Sequence, residues 1–196
     1  MMQTAKTLTD GSVAFVARSA RAAARRLAQL SADTRNKVLL AAAAAIEENG
    51  REILAANNRD CQSAKQAVAL GQMSPAMFAR LQISERGIAQ MAKQVREVAA
   101  LPDPLGRLLG ATELDEGLVL HKETCPLGVI GIIFEARPEV VPQVASLALK
   151  SGNAVVLKGG SEAANSNEAL VSVWRDCLRR YPEVPEGGAV WVFAIE

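Results

Sequence analysis

Aromatic side chains are scarce in this sequence, 4% of its 196 residues, and His121 is the single histidine. Interleaved aromatic and basic residues of the kind that stack on single-stranded nucleic acid are therefore missing. A lone histidine with no Ser or Cys partner at recognisable spacing reads as structural. Charge of one sign is lacking as well: 22 Lys+Arg stand against 21 Asp+Glu, a net charge of +1 that builds no polyanion-binding surface. No nucleic-acid partner is expected. The three cysteines, Cys61, Cys125 and Cys177, are odd in number and carry no CxxC spacing, which argues against a disulfide framework, a metal site or a redox pair. A reducing, cytoplasmic setting is the expectation. Cys61 and Cys177 fall in helical segments where a free thiol packs as a small apolar group, and Cys125, before Pro126, has no neighbouring base to make it a nucleophile. No stretch reaches the roughly 18 uninterrupted apolar residues of a membrane span, and the start MMQTAKTLTDG lacks the apolar core of a signal peptide. Neither GxGxxG nor a Walker loop occurs, nor any internal repeat or low-complexity tract.

What is present is 49% hydrophobic and 22% charged, the composition of one globular domain or a fragment of a larger one. Across residues 11–101 the apolar positions recur at helical spacing, which predicts five helices. They cover about 12–30, 31–49 with Ser31 as cap and Gly50 as stop, 51–70 ending at Gly71, a short one from Ser74-Pro75, and one from Ser84 to near Leu101. LPDPLG, residues 101–106, combines two prolines with a glycine and marks the internal boundary. Residues 107–125 read as two short strands joined at Asp115-Glu116-Gly117. Residues 127–196 then alternate. A strand at 129–134, apolar enough for burial on both faces, is followed by a helix at 139–151, a buried strand at 154–157, a helix at 162–180 and a strand at 189–195. The fold class is α/β: N-terminal helices plus an incomplete open parallel βαβ sheet.

Connections between parallel strands are right-handed, so the loops after the first two of these strands emerge on one edge of the sheet, where ligands of open α/β sheets bind. The first loop is Glu135-Ala136-Arg137-Pro138. With Pro138 in the first turn of the next helix, Arg137 and the free N–H groups of the helix suit a phosphate or carboxylate. The bland alternative is a surface ion pair of Arg137 with Glu135 or Glu139. The second loop is Lys158-Gly159-Gly160-Ser161, where glycines admit a ligand to the backbone and Lys158 supplies a point charge for a nucleotide. A plain strand-to-helix turn with a solvated lysine is the competing account.

The stretch PLGVIGIIFEARPEVVPQVASLALKSGNAVVLKGGSEAANSNEAL, residues 126–170, closely resembles the gamma-glutamyl phosphate reductases, also called glutamate-5-semialdehyde dehydrogenases, a branch of the aldehyde dehydrogenase superfamily. The DPLG turn and ELDEGLVL fit the same family, and the resemblance spans about residues 17–190. It implies a Rossmann-type NADP-binding domain and NADPH-dependent reduction of L-glutamyl 5-phosphate to L-glutamate 5-semialdehyde and phosphate, in proline biosynthesis. In that chemistry a cysteine thiolate displaces phosphate and hydride reduces the thioester. By similarity Lys158, Gly159, Gly160 and Ser161 face the adenosine ribose and its phosphate, while Glu135, Ala136 and Arg137 form the loop facing nicotinamide and substrate. Ordinary aldehyde dehydrogenases carry an oxyanion-stabilising Asn in that loop. Arg137 stands here instead, which suits a substrate bringing its own phosphate. Residues 107–125 match a segment used for homo-oligomerisation. Family members are about twice this length and carry the nucleophilic cysteine in a later domain, so the resemblance supplies no catalytic residue here. It leaves two readings, part of a reductase or a non-catalytic truncated remnant that binds nucleotide or a full-length homologue through an exposed sheet edge.

Overall fold

The computed structural model describes residues 13–185 and the backbone of 190–193. Five helices come first: α1 (Val13–Leu27), α2 (Ala32–Glu48), α3 (Gly50–Ala69), α4 (Pro75–Leu81) and α5 (Glu85–Ala100). Serine starts three of them. The hydroxyls of Ser31, Ser74 and Ser84 accept from the N–H groups of Thr34, Met77 and Gly87 at 3.1, 3.2 and 3.1 Å, each satisfying a donor that the first helical turn leaves open. Gly50 departs from its expected role. It is the first residue of α3 rather than a stop for α2, and a Cβ there would lie 3.3 Å from Ile88 Cγ2, so glycine serves the close approach of α3 to α5. None of the described helices is long and apolar enough to cross a membrane.

Beyond α5 an antiparallel hairpin, β1 (Leu108–Asp115) and β2 (Leu118–Glu123), turns at Glu116-Gly117 with both strands exposed throughout. Its base is tied down. Thr124 Oγ1 donates to Pro104 O at 2.7 Å and accepts from Arg107 N at 2.9 Å. Asp103, in the same turn, accepts from Nη2 of Arg35 at 2.7 and 2.8 Å, and Arg35 is only 2% exposed. Close by, Lys150 donates to Asn36 Oδ1 at 2.7 Å and Ala99 O at 2.9 Å, joining α2, α5 and the following βα unit at one polar junction.

The remaining elements are β3 (Val129–Ile133), α6 (Val140–Lys150), β4 (Ala154–Lys158), a 3-10 turn (Ser161–Ala163), α7 (Ala164–Leu178) and β5 (Val190–Phe193). The strands pair in parallel in the order β3-β4-β5, an open sheet as expected. Ala189 and residues 194–195 of the expected last strand, and Ser12 of the first helix, lie outside the described residues. α6 and α7 pack on β4 and β5 and on each other, the arrangement that right-handed crossovers produce, while α1 contacts all three strands. A further layer, α2, α3 and α5, covers α6 and α7. The core runs through these layers: Val38, Leu39 and Ile46 of α2, Val95 of α5, Val155 and Leu157 of β4, and Trp174 of α7. Expected burial of the first strand on both faces is not met. β3 alternates between half-buried and exposed, and Ile133 is 80% exposed, because β3 is an edge strand bonded to β4 alone. An apolar run reports β structure without telling an edge position from a central one.

Candidate functional site

The parallel register sets Ile133 beside Lys158, so the chain leaves β3 and β4 on the same edge of the sheet. After β3 come Phe134, whose N–H donates to Lys158 O at 3.0 Å, then exposed Glu135, buried Ala136 and exposed Arg137. After β4 come Gly159, Gly160 and exposed Ser161. The structure thus brings together the seven residues that the sequence singled out. Arg137 makes no ion pair with Glu135 or Glu139, and among the described residues neither Arg137 nor Lys158 has a carboxylate partner at this edge. Such an edge suits an anionic ligand.

Several details differ from expectation. Pro138 sits in the turn before α6, not in its first turn, and the first N–H groups of α6, from Val140 and Val141, are turned back to the carbonyls of Arg137 and Pro138 at 3.0 Å. The helix therefore offers fewer free donors than its position implied, although no side chain caps it. The N-terminus of α7 is filled from within. Asp60 of α3, 3% exposed, accepts from the backbone N–H groups of Asn165 and Ser166 and from the Ser166 hydroxyl. A carboxylate already neutralises that helix end, so the position that would attract a phosphate in a simple strand-to-helix unit is taken.

The two glycines also have a tighter job than admitting a ligand. A Cβ on Gly159 would collide with Asn167 Nδ2 and lie 3.3 Å from the Phe134 ring, and one on Gly160 would meet the Glu162 carboxylate. That carboxylate accepts the backbone N–H of Ala136. Ala136 is 1% exposed and has φ +46°, the one non-glycine residue with positive φ among the described residues. A left-handed alanine costs roughly 1–2 kcal/mol and persists only where its surroundings hold it. A hydrogen bond to a charged acceptor, worth about 1.5–3 kcal/mol, is of the size needed. Glu162 and Asn167 were not found from the sequence. Their only signal there was position, just past a pair of glycines whose missing side chains leave room for something.

The cysteines and His121 take the places expected of them. Cys61 and Cys177 are buried in α3 and α7, and burial raises the pKa of both thiols. Cys61 reaches this side of the molecule, but its Sγ donates to Asn57 Oδ1 in the network that also holds Ser166. Cys125 is exposed ahead of β3, at the edge opposite Arg137 and Lys158. His121 lies exposed on β2, 4.0 Å from Glu123.

Comparison with known proteins identifies the family. Residues 1–193 match the model of the aldehyde dehydrogenase family. Gamma-glutamyl phosphate reductase of Carboxydothermus hydrogenoformans is 48% identical over 172 residues, covering 88% of this chain and 40% of the relative. The crystal structure of gamma-glutamyl phosphate reductase from Thermotoga maritima superposes with a TM-score of 0.87 at 33% identity, over 94% of this chain and 43% of that one. The enzyme of that name from Saccharomyces cerevisiae gives 0.86 at 32%, over 94% and 47%. The chain thus spans about two fifths of the length of the curated relatives it matches. The match to the family model runs through residues 1–193, over the helical layers and the open parallel sheet alike, and the chain belongs to the aldehyde dehydrogenase family.

Proposed function

We propose that this chain forms the NADP-binding part of a reductase that converts L-glutamyl 5-phosphate to L-glutamate 5-semialdehyde and phosphate, a step of proline biosynthesis, in a reducing cytoplasm where its three thiols stay unpaired. The observation that carries the reading is the convergence of Lys158 and Arg137, both without carboxylate partners among the described residues, on one sheet edge in a chain 48% identical to a gamma-glutamyl phosphate reductase. The residues fit a nucleotide. Lys158, ending β4, holds the adenosine-side phosphate, and Gly159, Gly160 and Ser161 line its path with backbone and hydroxyl. Glu135 and Ala136 face the nicotinamide side, and Arg137 takes the phosphate of the substrate as a planar fork. Bound NADPH supplies the hydride. Arg137 orients the acyl phosphate and stabilises the charge on departing phosphate. The exposed hairpin β1–β2, with Leu108, Leu114, Leu118 and Leu120 facing solvent, is the homo-oligomer contact.

The test joins this chain to the portion of the Carboxydothermus relative that it does not span and follows NADPH oxidation with L-glutamyl 5-phosphate. Turnover is expected, with Lys158→Ala weakening NADPH binding about tenfold to a hundredfold, the loss of one charge-assisted hydrogen bond of roughly 1.5–3 kcal/mol. A chimera that folds but neither binds NADPH nor turns over sinks the reading. The unpaired edge and exposed Ile133 of β3 favour a second one, a non-catalytic chain that docks on a full-length homologue. Co-purification of the separate chain with that homologue, with no activity in the chimera, supports it instead.

A further inference from the structure

We propose that Glu162 is the positioning residue of this two-loop edge: its carboxylate holds the Ala136 N–H, and with it the direction from which Arg137 meets an anion. The loop after β3 places one buried residue, Ala136, between two exposed ones, Glu135 and Arg137. Its backbone turns at that residue through a left-handed conformation that alanine disfavours. Being 1% exposed, Ala136 has no water to receive its N–H, so its partner has to come from the protein. The partner comes from the other loop. Glu162 stands in the 3-10 turn that follows Gly160, and its carboxylate fills the space a Cβ on Gly160 would need. Gly160 therefore permits the strap, and any ligand that shifts the loop at Lys158–Ser161 also shifts the anchor of Arg137. The assignment rests on the reading of Arg137 as the contact for the substrate phosphate.

Amide exchange and phosphate titration by NMR on the 196-residue chain test it. Glu162→Met keeps the bulk beside Gly160 and removes the acceptor, while Glu162→Gln keeps an oxygen. Glu162→Met is expected to speed exchange at Ala136 by about tenfold or more, the equivalent of one charged hydrogen bond, and to weaken the response of the Arg137 guanidinium to inorganic phosphate. The β4 amides of Val155 and Leu157 should stay as slow as before, and Glu162→Gln should restore both signals. Unchanged protection of Ala136 in Glu162→Met overturns the proposal, as does a Glu162→Gln variant that behaves like it. If Glu162→Met loosens β4 as well, Ala136→Gly decides: the amide at 136 stays slow if Glu162 is the anchor and is freed if packing of the methyl group held it. Exchange that follows the expected pattern while Arg137 ignores phosphate in the unaltered chain upholds the positioning role and removes the substrate reading.

Discussion

Gly159 and Gly160 are adjacent, both lack room for a side chain, and should still respond differently to alanine. At Gly159 the obstacle is the amide of Asn167, which is buried on α7, with the Phe134 ring behind it. Asn167 is buried with no solvent to turn into, so Gly159→Ala should lower stability by roughly 1–3 kcal/mol, the usual cost of overpacking a filled site. At Gly160 the obstacle is the end of the flexible Glu162 side chain, which can swing into solvent. Gly160→Ala should therefore displace the Glu162 carboxylate and speed amide exchange at Ala136, whereas Gly159→Ala should leave that amide protected. Equal release of Ala136 in the two variants would contradict this division. The thiols divide by burial in the same way. Brief iodoacetamide treatment of the native chain should label Cys125 and spare Cys61 and Cys177 until the protein is unfolded, with the labelled peptides read by mass spectrometry.

The junction of α2, α5 and α6 carries charge into the interior, and its pH behaviour follows from Lys150. Burial holds the Lys150 ammonium below the usual lysine value of 10.5, with Asp103 opposing and Arg35 reinforcing that shift. Between the lowered folded value and 10.5 the unfolded chain binds more protons at this site than the native one, so this contribution to stability rises with pH through that window. Below it both states are protonated and the contribution is flat. The stability of the native chain relative to Lys150→Met should therefore climb as pH rises toward 10.5, followed by urea unfolding of both proteins. Asp103→Ala should cost roughly 2–4 kcal/mol at neutral pH, because it strands the buried Arg35 guanidinium, with the figure held down by the part of Asp103 that stays in water. None of this was visible in the helical periodicity, which reports which face is apolar and is silent about a charge sitting within that face. Caps and breakers were visible: Ser31, Ser74 and Ser84 start helices as their chemistry demands, and the prolines of LPDPLG end the helical half. Gly50 misled because a glycine between two helical runs looks the same in sequence whether it stops one helix or lets the next approach a neighbour. The edge position of β3 was hidden for a related reason, since strand order is a property of the sheet and not of the run VIGII. At the site, charged residues at strand ends were readable from topology, whereas Glu162 and Asp60 depend on contacts between segments that the sequence does not place together.

As a whole molecule the chain brings two cations to one edge of its sheet, and it brings no reactive thiolate there. Reduction of an acyl phosphate through a thioester needs a sulfur within reach of both the acyl carbon and the hydride donor, and placement of that kind lowers the barrier by up to roughly 7–11 kcal/mol. Cys61 is the thiol nearest this edge by connectivity, since its hydrogen-bond partner Asn57 also donates to Ser166 at the start of α7. Its proton is held by Asn57 and burial disfavours its anion, so it does not substitute. Cys177 is packed against α2, with Val38 O at 4.0 Å from its Sγ. Cys125 is exposed but opens at the far end of β3. The 196 residues alone should therefore bind nucleotide weakly and show no NADP-dependent oxidation of glutamate semialdehyde in phosphate, the reverse of the proposed reaction. The measurement is NADPH formation by absorbance, with the chimera as positive control. Turnover by the chain alone that disappears in Cys125→Ser and survives in Cys61→Ser and Cys177→Ser would make Cys125 the nucleophile and require the site to lie at the opposite edge of the sheet.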